Sequence, residues 1–148
     1  DKCIGFTPLQ HRNQQIDIIN GLKFINDSKA TNIDATIHAL KIHKNVHLIA
    51  GGQAKEDNFD ELQNVIENVL GIYLFGEAAP LIAKSLDGYQ VDQFDTLDQA
   101  FNDVTSKTRA GDTVLFSPAC ASFDQYANFE DRGKHFVSLV EEYRNKII

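Results

Sequence analysis

Methionine and tryptophan are absent from this 148-residue sequence, cysteine occurs twice and proline three times. The cysteines, Cys3 and Cys120, lie far apart without a CxxC spacing. Neither a zinc site nor a disulfide framework is indicated, and a reducing cytoplasm is the expected setting. Apolar runs are short pieces such as VHLIA at 46–50. None approaches the roughly 20 residues of a bilayer-spanning helix, so a membrane helix is excluded. The start shows no basic segment followed by an apolar one, so no signal peptide is read there. Positive charge is in deficit, with 14 Lys plus Arg against 21 Asp plus Glu and a formal net charge of −7. That field repels a polyanion and argues against nucleic acid as a partner. A chain that opens at Asp1 and lacks methionine reads as an excised domain or a fragment of a longer protein. No apolar surface stripe calls for a dimer, so a monomer is expected.

Hydrophobic residues make up 43% of the chain and charged residues 24%, an ordinary globular balance for one domain. Short β-rich runs alternate with helical patterns, the rhythm of parallel strands joined by helical crossovers. Gln15–Asn20 breaks at Asn20-Gly21, a two-residue hairpin signal, and returns as LKFIN at Leu22–Asn26, so one strand should run against the rest. Further strands are expected at Val46–Ala50, Ile72–Phe75, Tyr89–Phe94 and Thr113–Phe116, which predicts an α/β domain on a six-stranded sheet. Helices are predicted at Ile33–His43 with Asn32 as cap, at Phe59–Val69, Glu77–Ser85 and Leu97–Lys107, and from Asn128 to Lys146. No repeat, low-complexity tract or linker divides the chain.

Open sheets of this kind take ligands in the loops beyond the carboxyl ends of their strands. The first such loop, Asp27-Ser28-Lys29-Ala30-Thr31-Asn32, places a carboxylate, hydroxyls, an ammonium and an amide at a helix entrance, where free N–H groups and the helix dipole favour anions. An ordinary cap with solvated neighbours carries about equal weight. Gly51-Gly52-Gln53-Ala54-Lys55 offers close backbone approach, but neither a Walker A loop nor GxGxxG, and alone it reads as a plain turn. In Ser117-Pro118-Ala119-Cys120-Ala121-Ser122-Phe123 the small side chains admit a ligand to the main chain. Cys120 has no histidine in its loop and reads as a buried, inert thiol, and Ser122 lacks the GxSxG elbow of a hydrolase. Arg12 could supply a guanidinium to phosphate. His43 and His47 stand four apart, but Lys44-Asn45 marks a helix end between them, so no metal pair is expected.

Three segments taken together, INDSKATN at Ile25–Asn32, HLIAGGQAKEDNF at His47–Phe59 and LFSPACASFDQYANFEDRGKHF at Leu115–Phe136, resemble the carboxyl-terminal domain of the Mur ligases. The resemblance covers essentially the whole chain, residues 1–148, and includes His11-Arg12. Other Mur ligases and folylpolyglutamate synthetase typically carry a DYAHNP-like stretch where this chain has NDSKATN, so the resemblance narrows to the member that takes D-glutamate. It implies a Rossmann-like, three-layer α/β fold, its six-stranded sheet mostly parallel with one antiparallel strand. It also implies a cytoplasmic enzyme of peptidoglycan biosynthesis. ATP phosphorylates the carboxylate of UDP-N-acetylmuramoyl-L-alanine, and the amine of D-glutamate attacks the acyl phosphate, with Mg2+ offsetting the charge between phosphates.

By the same resemblance ATP and Mg2+ are held mainly by a central domain, and the uridine nucleotide by an N-terminal domain, both absent from this chain. The chain alone is then expected to be inactive and to move as a rigid body about a hinge near Asp1, closing over ATP. Carried over residue by residue, Thr31, Lys55, Ser122 and the backbone at Phe129 would bind the two carboxylates of D-glutamate. Phe123 would add packing or a backbone contact beside Ser122. Asp27 and Arg12 would face the nucleotide. Lys29, near the phosphates or the substrate carboxylate, and Arg132, holding the loops in place, are carried over as catalytic. Against that role, Arg132 reads about equally well as a surface ion pair with Glu130. Gln53-Ala54 departs from the family's usual Asp-Gly ahead of the lysine. The rival readings are a stand-alone Rossmann-like nucleotide or partner-binding module without catalysis, and a ligase for another amino acid.

Overall fold

The computed structural model describes residues 10–67 and 69–147; Cys3 and the expected hinge near Asp1 lie outside them. Strand β1 (Gln14–Ile19) turns at Asn20 and Gly21, with φ of 51° and 81°, into β2 (Leu22–Asn26). Two successive positive φ angles are what an Asn-Gly hairpin turn requires, and the pair is antiparallel as expected. Helix α1 (Ile33–Ile42) follows, then β3 (Val46–Gly51), β4 (Gly71–Phe75), α2 (Ala79–Ser85), β5 (Val91–Phe94), α3 (Leu97–Lys107), β6 (Thr113–Phe116) and α4 (Phe129–Ile147). The six strands form one sheet in the order β1-β2-β6-β3-β4-β5, parallel from β2 to β5.

Strand periodicity sorts the core into two layers. Ile25, Leu48, Ala50, Ile72, Leu74 and Leu115 face α1, α2 and the segment between β3 and β4. Their sequence neighbours Phe24, Ile49, Tyr73, Phe75, Val114 and Phe116 face α3 and α4. Both faces of the inner strands are therefore covered, which is why β3 is buried along its whole length and reads as a continuous apolar run. On the second face the Phe116 and Phe136 rings stack with centroids 5.0 Å apart, a geometry that adds about 0.5–1.5 kcal/mol to burial. Helix α3 opens with a full capping box between Thr96 and Gln99, and Asn32 caps α1 by accepting from the Ala35 N–H at 2.9 Å.

The segment expected to be helical over Phe59–Val69 forms only one 3-10 turn, Asp60–Asn64. Its apolar spacing is genuine, since Phe59, Leu62 and Ile66 are buried. The backbone, however, is held from outside: the Phe59 N–H donates to Ser85 Oγ at 2.8 Å and the Gln63 side chain to the Ser85 carbonyl at 2.6 Å. Tertiary bonds to α2 replace the helix ladder. Two starts shift by two residues, where the other strand and α-helix boundaries move by one at most. Strand β5 starts at Val91 rather than Tyr89, because Gly88 has φ of 94° and the Tyr89 N–H closes a turn onto Leu86. Helix α2 starts at Ala79 rather than Glu77, and the N–H groups of Glu77 and Ala78 bond Asp124 and the Gly52 carbonyl.

Candidate functional site

Because β6 inserts between β2 and β3, the loops that leave the carboxyl ends of these strands lie side by side at one end of the sheet, the usual ligand position in open sheets. The sequence fills them with small and hydrogen-bonding residues, and the structure stitches them together.

After β2, Asp27 is buried at 5% exposure. It accepts from the Asn13 N–H at 2.9 Å and from Ser117 Oγ at 2.8 Å. Burial raises its carboxyl above the ordinary value, while the hydrogen bonds from Ser117 and Asn13, then the charges of Arg12 and His38, pull it back. Arg12, Asp27, Lys29, Thr31, Asn32 and His38 line a cleft of ≈ 600 Å³. Arg12 is exposed and Thr31 half-buried. Lys29 Nζ lies 5.2 Å from the centre of the Phe129 ring, a cation–π contact that draws the ammonium toward the start of α4.

After β3, Gly51 and Gly52 hold φ of 146° and 131°. A Cβ on Gly51 would sit 1.9 Å from the Phe75 carbonyl oxygen, and one on Gly52 would sit 2.4 Å from that of Ala121. This is close backbone approach rather than a plain turn. It lets Gln53 and Ala121 exchange hydrogen bonds of 2.8 and 2.9 Å, joining the loop of Lys55 to that of Ser122. Lys55 itself is exposed.

After β6, Ser122 is 2% exposed and its carbonyl accepts from the Gln125 and Tyr126 N–H groups. Phe123, expected to add packing or a backbone contact beside it, has its side chain 65% exposed. The Phe129 carbonyl is taken by Ser28 Oγ at 2.8 Å. Cys120 is fully buried, and burial pushes its thiol up to about 12 against the Arg132 guanidinium, with Glu56 and Asp124 adding to the rise. An inert thiol results.

Arg132 is the largest fully buried side chain among the described residues, not a surface partner of Glu130. Its Nε donates to Ser28 Oγ at 3.0 Å, Nη2 to the Ser28 carbonyl at 2.6 Å and Nη1 to the Cys120 carbonyl at 3.0 Å. Burial lowers the guanidinium to about 10, still charged at neutral pH. A planar fork of donors suits this position because it reaches two loops at fixed angles.

The structure therefore brings Arg12, Asp27, Lys29 and Thr31 into one cleft and ties Phe129 and Arg132 to it through Ser28. Lys55 and Ser122 stand on loops bridged to each other through Gln53 and Ala121, the Ser122 loop being bonded to Arg132 at Cys120, while the Phe123 side chain turns to solvent. Residues that sequence reasoning passed over complete the frame. Asp124 Oδ2 accepts from the Glu77 N–H at 3.1 Å, and Gln125 donates to the Asp95 carbonyl at 2.7 Å, pinning the Ser122 loop to those after β4 and β5. Gly76, with φ of 79° and room for no Cβ beside Asp124, was the available signal. Elsewhere, His47 bridges Tyr73 and Asp112. Among the described residues no group of three or more His, Cys, Asp or Glu is placed to hold a metal ion, and no helix is long and apolar enough to cross a membrane.

A family model described as Mur ligase, glutamate ligase domain, matches residues 11–120. The UDP-N-acetylmuramoylalanine–D-glutamate ligase of Alkaliphilus oremlandii is 43% identical over 144 residues, 94% of this chain and 32% of that protein. Its Bacillus subtilis counterpart is 42% identical over 140 residues, 92% and 31% respectively. The chain thus spans about a third of the length of the curated relatives it matches. Among solved structures, the MurF ligase from Thermotoga maritima in complex with ADP superposes with a TM-score of 0.65 at 17% identity, over 97% of this chain and 33% of that one. A bifunctional folylpolyglutamate synthase/dihydrofolate synthase from Yersinia pestis, complexed with AMPPNP and Mn ion, gives 0.63 at 19% identity, over 89% and 32%. At such identities these two establish likeness of fold.

Proposed function

The chain belongs to the Mur ligase family as its glutamate ligase domain, and from that premise we propose that it is the amino-acid-binding domain of an enzyme that joins D-glutamate to UDP-N-acetylmuramoyl-L-alanine at the expense of ATP. The observation that supports this most directly is the joining of three donor-bearing loops: buried Arg132 ties the loop after β2 to the loop after β6 through Ser28 and Cys120, and Gln53 and Ala121 tie the loop after β3 to the loop after β6. A dianionic amino acid needs donors from more than one direction, and each hydrogen bond to a charged group contributes about 1.5–3 kcal/mol. Thr31, Lys55, Ser122 and the backbone N–H at Phe129 supply them. Arg132 is a positioning residue, since it is fully buried and acts through Ser28 and Cys120.

ATP and Mg2+ fit this chain only at its margin. It has no Walker A sequence, and its carboxylates do not cluster for a metal among the described residues. Those groups are assigned to the central domain, where ATP supplies the phosphoryl group that activates the L-alanyl carboxylate. Arg12 and Lys29 meet the phosphates from this side once the domain closes, and Asp27 fixes the loop that carries Lys29 through its bonds to Asn13 and Ser117. The chain by itself releases no phosphate, and the whole enzyme acts as a cytoplasmic monomer.

The test is phosphate release by the full-length protein with ATP, UDP-N-acetylmuramoyl-L-alanine and either D- or L-glutamate. Release with D-glutamate alone is expected. Thr31→Ala, Lys55→Ala and Ser122→Ala should each raise KM for D-glutamate about tenfold or more while leaving KM for ATP unchanged. Release that needs a different amino acid, or none, overturns the assignment.

A further inference from the structure

One carboxylate of the chain already faces the entrance of α1. Glu56 follows Lys55 directly, and its Oε1 faces the Ile33 N–H at 3.5 Å. Ile33 is the first residue of α1, so this N–H has no partner within the helix and lies at the positive end of the dipole. Of the neighbouring first-turn donors, the Ala35 N–H is taken by the Asn32 cap at 2.9 Å. The other Glu56 oxygen, Oε2, is buried and has no hydrogen-bond partner among the described residues. The side chain is therefore drawn inward to a helix entrance, is held by one long contact, and has half its acceptor capacity unmet.

That arrangement is costly for a carboxylate with water available. A buried acceptor left without a donor loses the hydrogen bonds water would give it, and at 3.5 Å the Ile33 contact lies beyond the usual N–H···O range of about 2.7–3.2 Å. Chemically, the group is the side chain of glutamate itself. Two residues ahead of Ile33 stands Thr31, and one residue ahead of Glu56 stands Lys55, both assigned above to the substrate's carboxylates.

We propose that Glu56 is an internal stand-in for a substrate carboxylate: it occupies the anion position at the N-terminus of α1 in the unliganded chain, and D-glutamate must displace it to bind. The inference rests on the reading of Thr31 and Lys55 as amino-acid-binding residues. A tethered competitor reduces the binding-competent fraction, and apparent affinity falls by that fraction. Glu56 thereby sets how much free D-glutamate the enzyme needs, without touching the reacting atoms. The entering ligand has two carboxylates in a chain of net charge −7, so removing this one charge acts in the same direction as removing the competition.

The experiment is amide NMR on the 15N-labelled 148-residue chain and its Glu56→Gln and Glu56→Ala variants, titrated with D-glutamate and followed at Ile33 and Thr31. Without ligand, both substitutions should shift the Ile33 amide; an unmoved Ile33 overturns the contact. With D-glutamate, both variants should bind about 3–10-fold tighter than the parent, as a competitor occupying roughly two thirds to nine tenths of the chain requires. Equal or weaker binding overturns the proposal while leaving the amino-acid site intact. An Ile33 shift on substitution combined with no response of Thr31 to D-glutamate in any of the three proteins instead overturns the placement of the amino acid, and the stand-in role with it. In the full-length enzyme the same variants should lower KM for D-glutamate at unchanged kcat, which a merely structural loss would not do.

Discussion

Replacing Arg132 separates a guanidinium that holds loops from one that only carries charge. Arg132→Met preserves most of the stem volume beside Phe116, whose ring lies 5.9 Å from the guanidinium carbon, but removes all three donors. Summed separately, three charge-assisted bonds at about 1.5–3 kcal/mol each give an upper bound near 4.5–9 kcal/mol. They share one rigid group and are not additive. Removing one partner from a buried ionic arrangement costs about 3–5 kcal/mol, and that is the expected loss for Arg132→Met. For a domain of this size it corresponds to a Tm lowered by roughly 6–20 °C. Arg132→Lys is the sharper variant, because it keeps the charge and loses the fork. One ammonium cannot reach Ser28 and Cys120 at the present angles, so its cost should match or exceed that of Met. Urea unfolding followed by circular dichroism measures both, given a single cooperative transition. A cost below about 1 kcal/mol for Met, or a lysine variant within about 0.5 kcal/mol of the parent, would show that Arg132 does not hold the loops.

Gly133→Ala should destabilise the chain by about 1–3 kcal/mol, although alanine normally improves a helix interior by about 1 kcal/mol. The added Cβ would fall 2.1 Å from His11 Nδ1, whose ring is bonded to the buried Asn26 side chain at 2.8 Å; a raised Tm would sink the argument. Burial lowers the pKa of both His11 and His43 below 6.5, with lysine charges assisting and Glu130 opposing at His11. The unfolded chain therefore takes up these protons first as pH falls, and the stability present above about 6.5 is lost on acidification through the lower folded values. Thermal melts between pH 7.5 and 5.5, with C2–H titrations of both rings, should show Tm falling below about pH 6.5 and levelling off as the native rings protonate. In a Cys3→Ser background, Cys120 should react with a thiol reagent only as fast as the domain opens, since its thiol is buried and pushed up to about 12; labelling at the rate of a free thiol would refute its burial.

The parts of the fold that were legible depend on local rules. Asn20-Gly21 demanded a hairpin turn, and Asn32 ahead of the apolar spacing of Ile33, Ile37 and Leu40 announced the start of α1. The 3-10 turn at Asp60–Asn64 was not legible, because the spacing of Phe59, Leu62 and Ile66 satisfies a helix equally well. What decides between them is Ser85, which bonds both the Phe59 N–H and the Gln63 side chain from 22 to 26 residues away. No window of the sequence contains that competition.

The candidate site divides along the same line. Lys29, Thr31 and Asp27 were readable because they sit together in one loop at a helix entrance, and the structure keeps them in one cleft. Arg132 reads locally as a helix-surface residue between acids and a lysine, and its burial is set by what surrounds it in space. Loops built from Ser28, Gly52 and Cys120 leave a volume that only a long side chain from α4 fills, and Gly52 has no room even for a Cβ beside Nη1. Small residues in three separate loops and one large cation in a helix form one packing problem. The sequence shows its halves separately: the run of small residues that admits a ligand to the main chain also requires an arginine underneath to hold that main chain still.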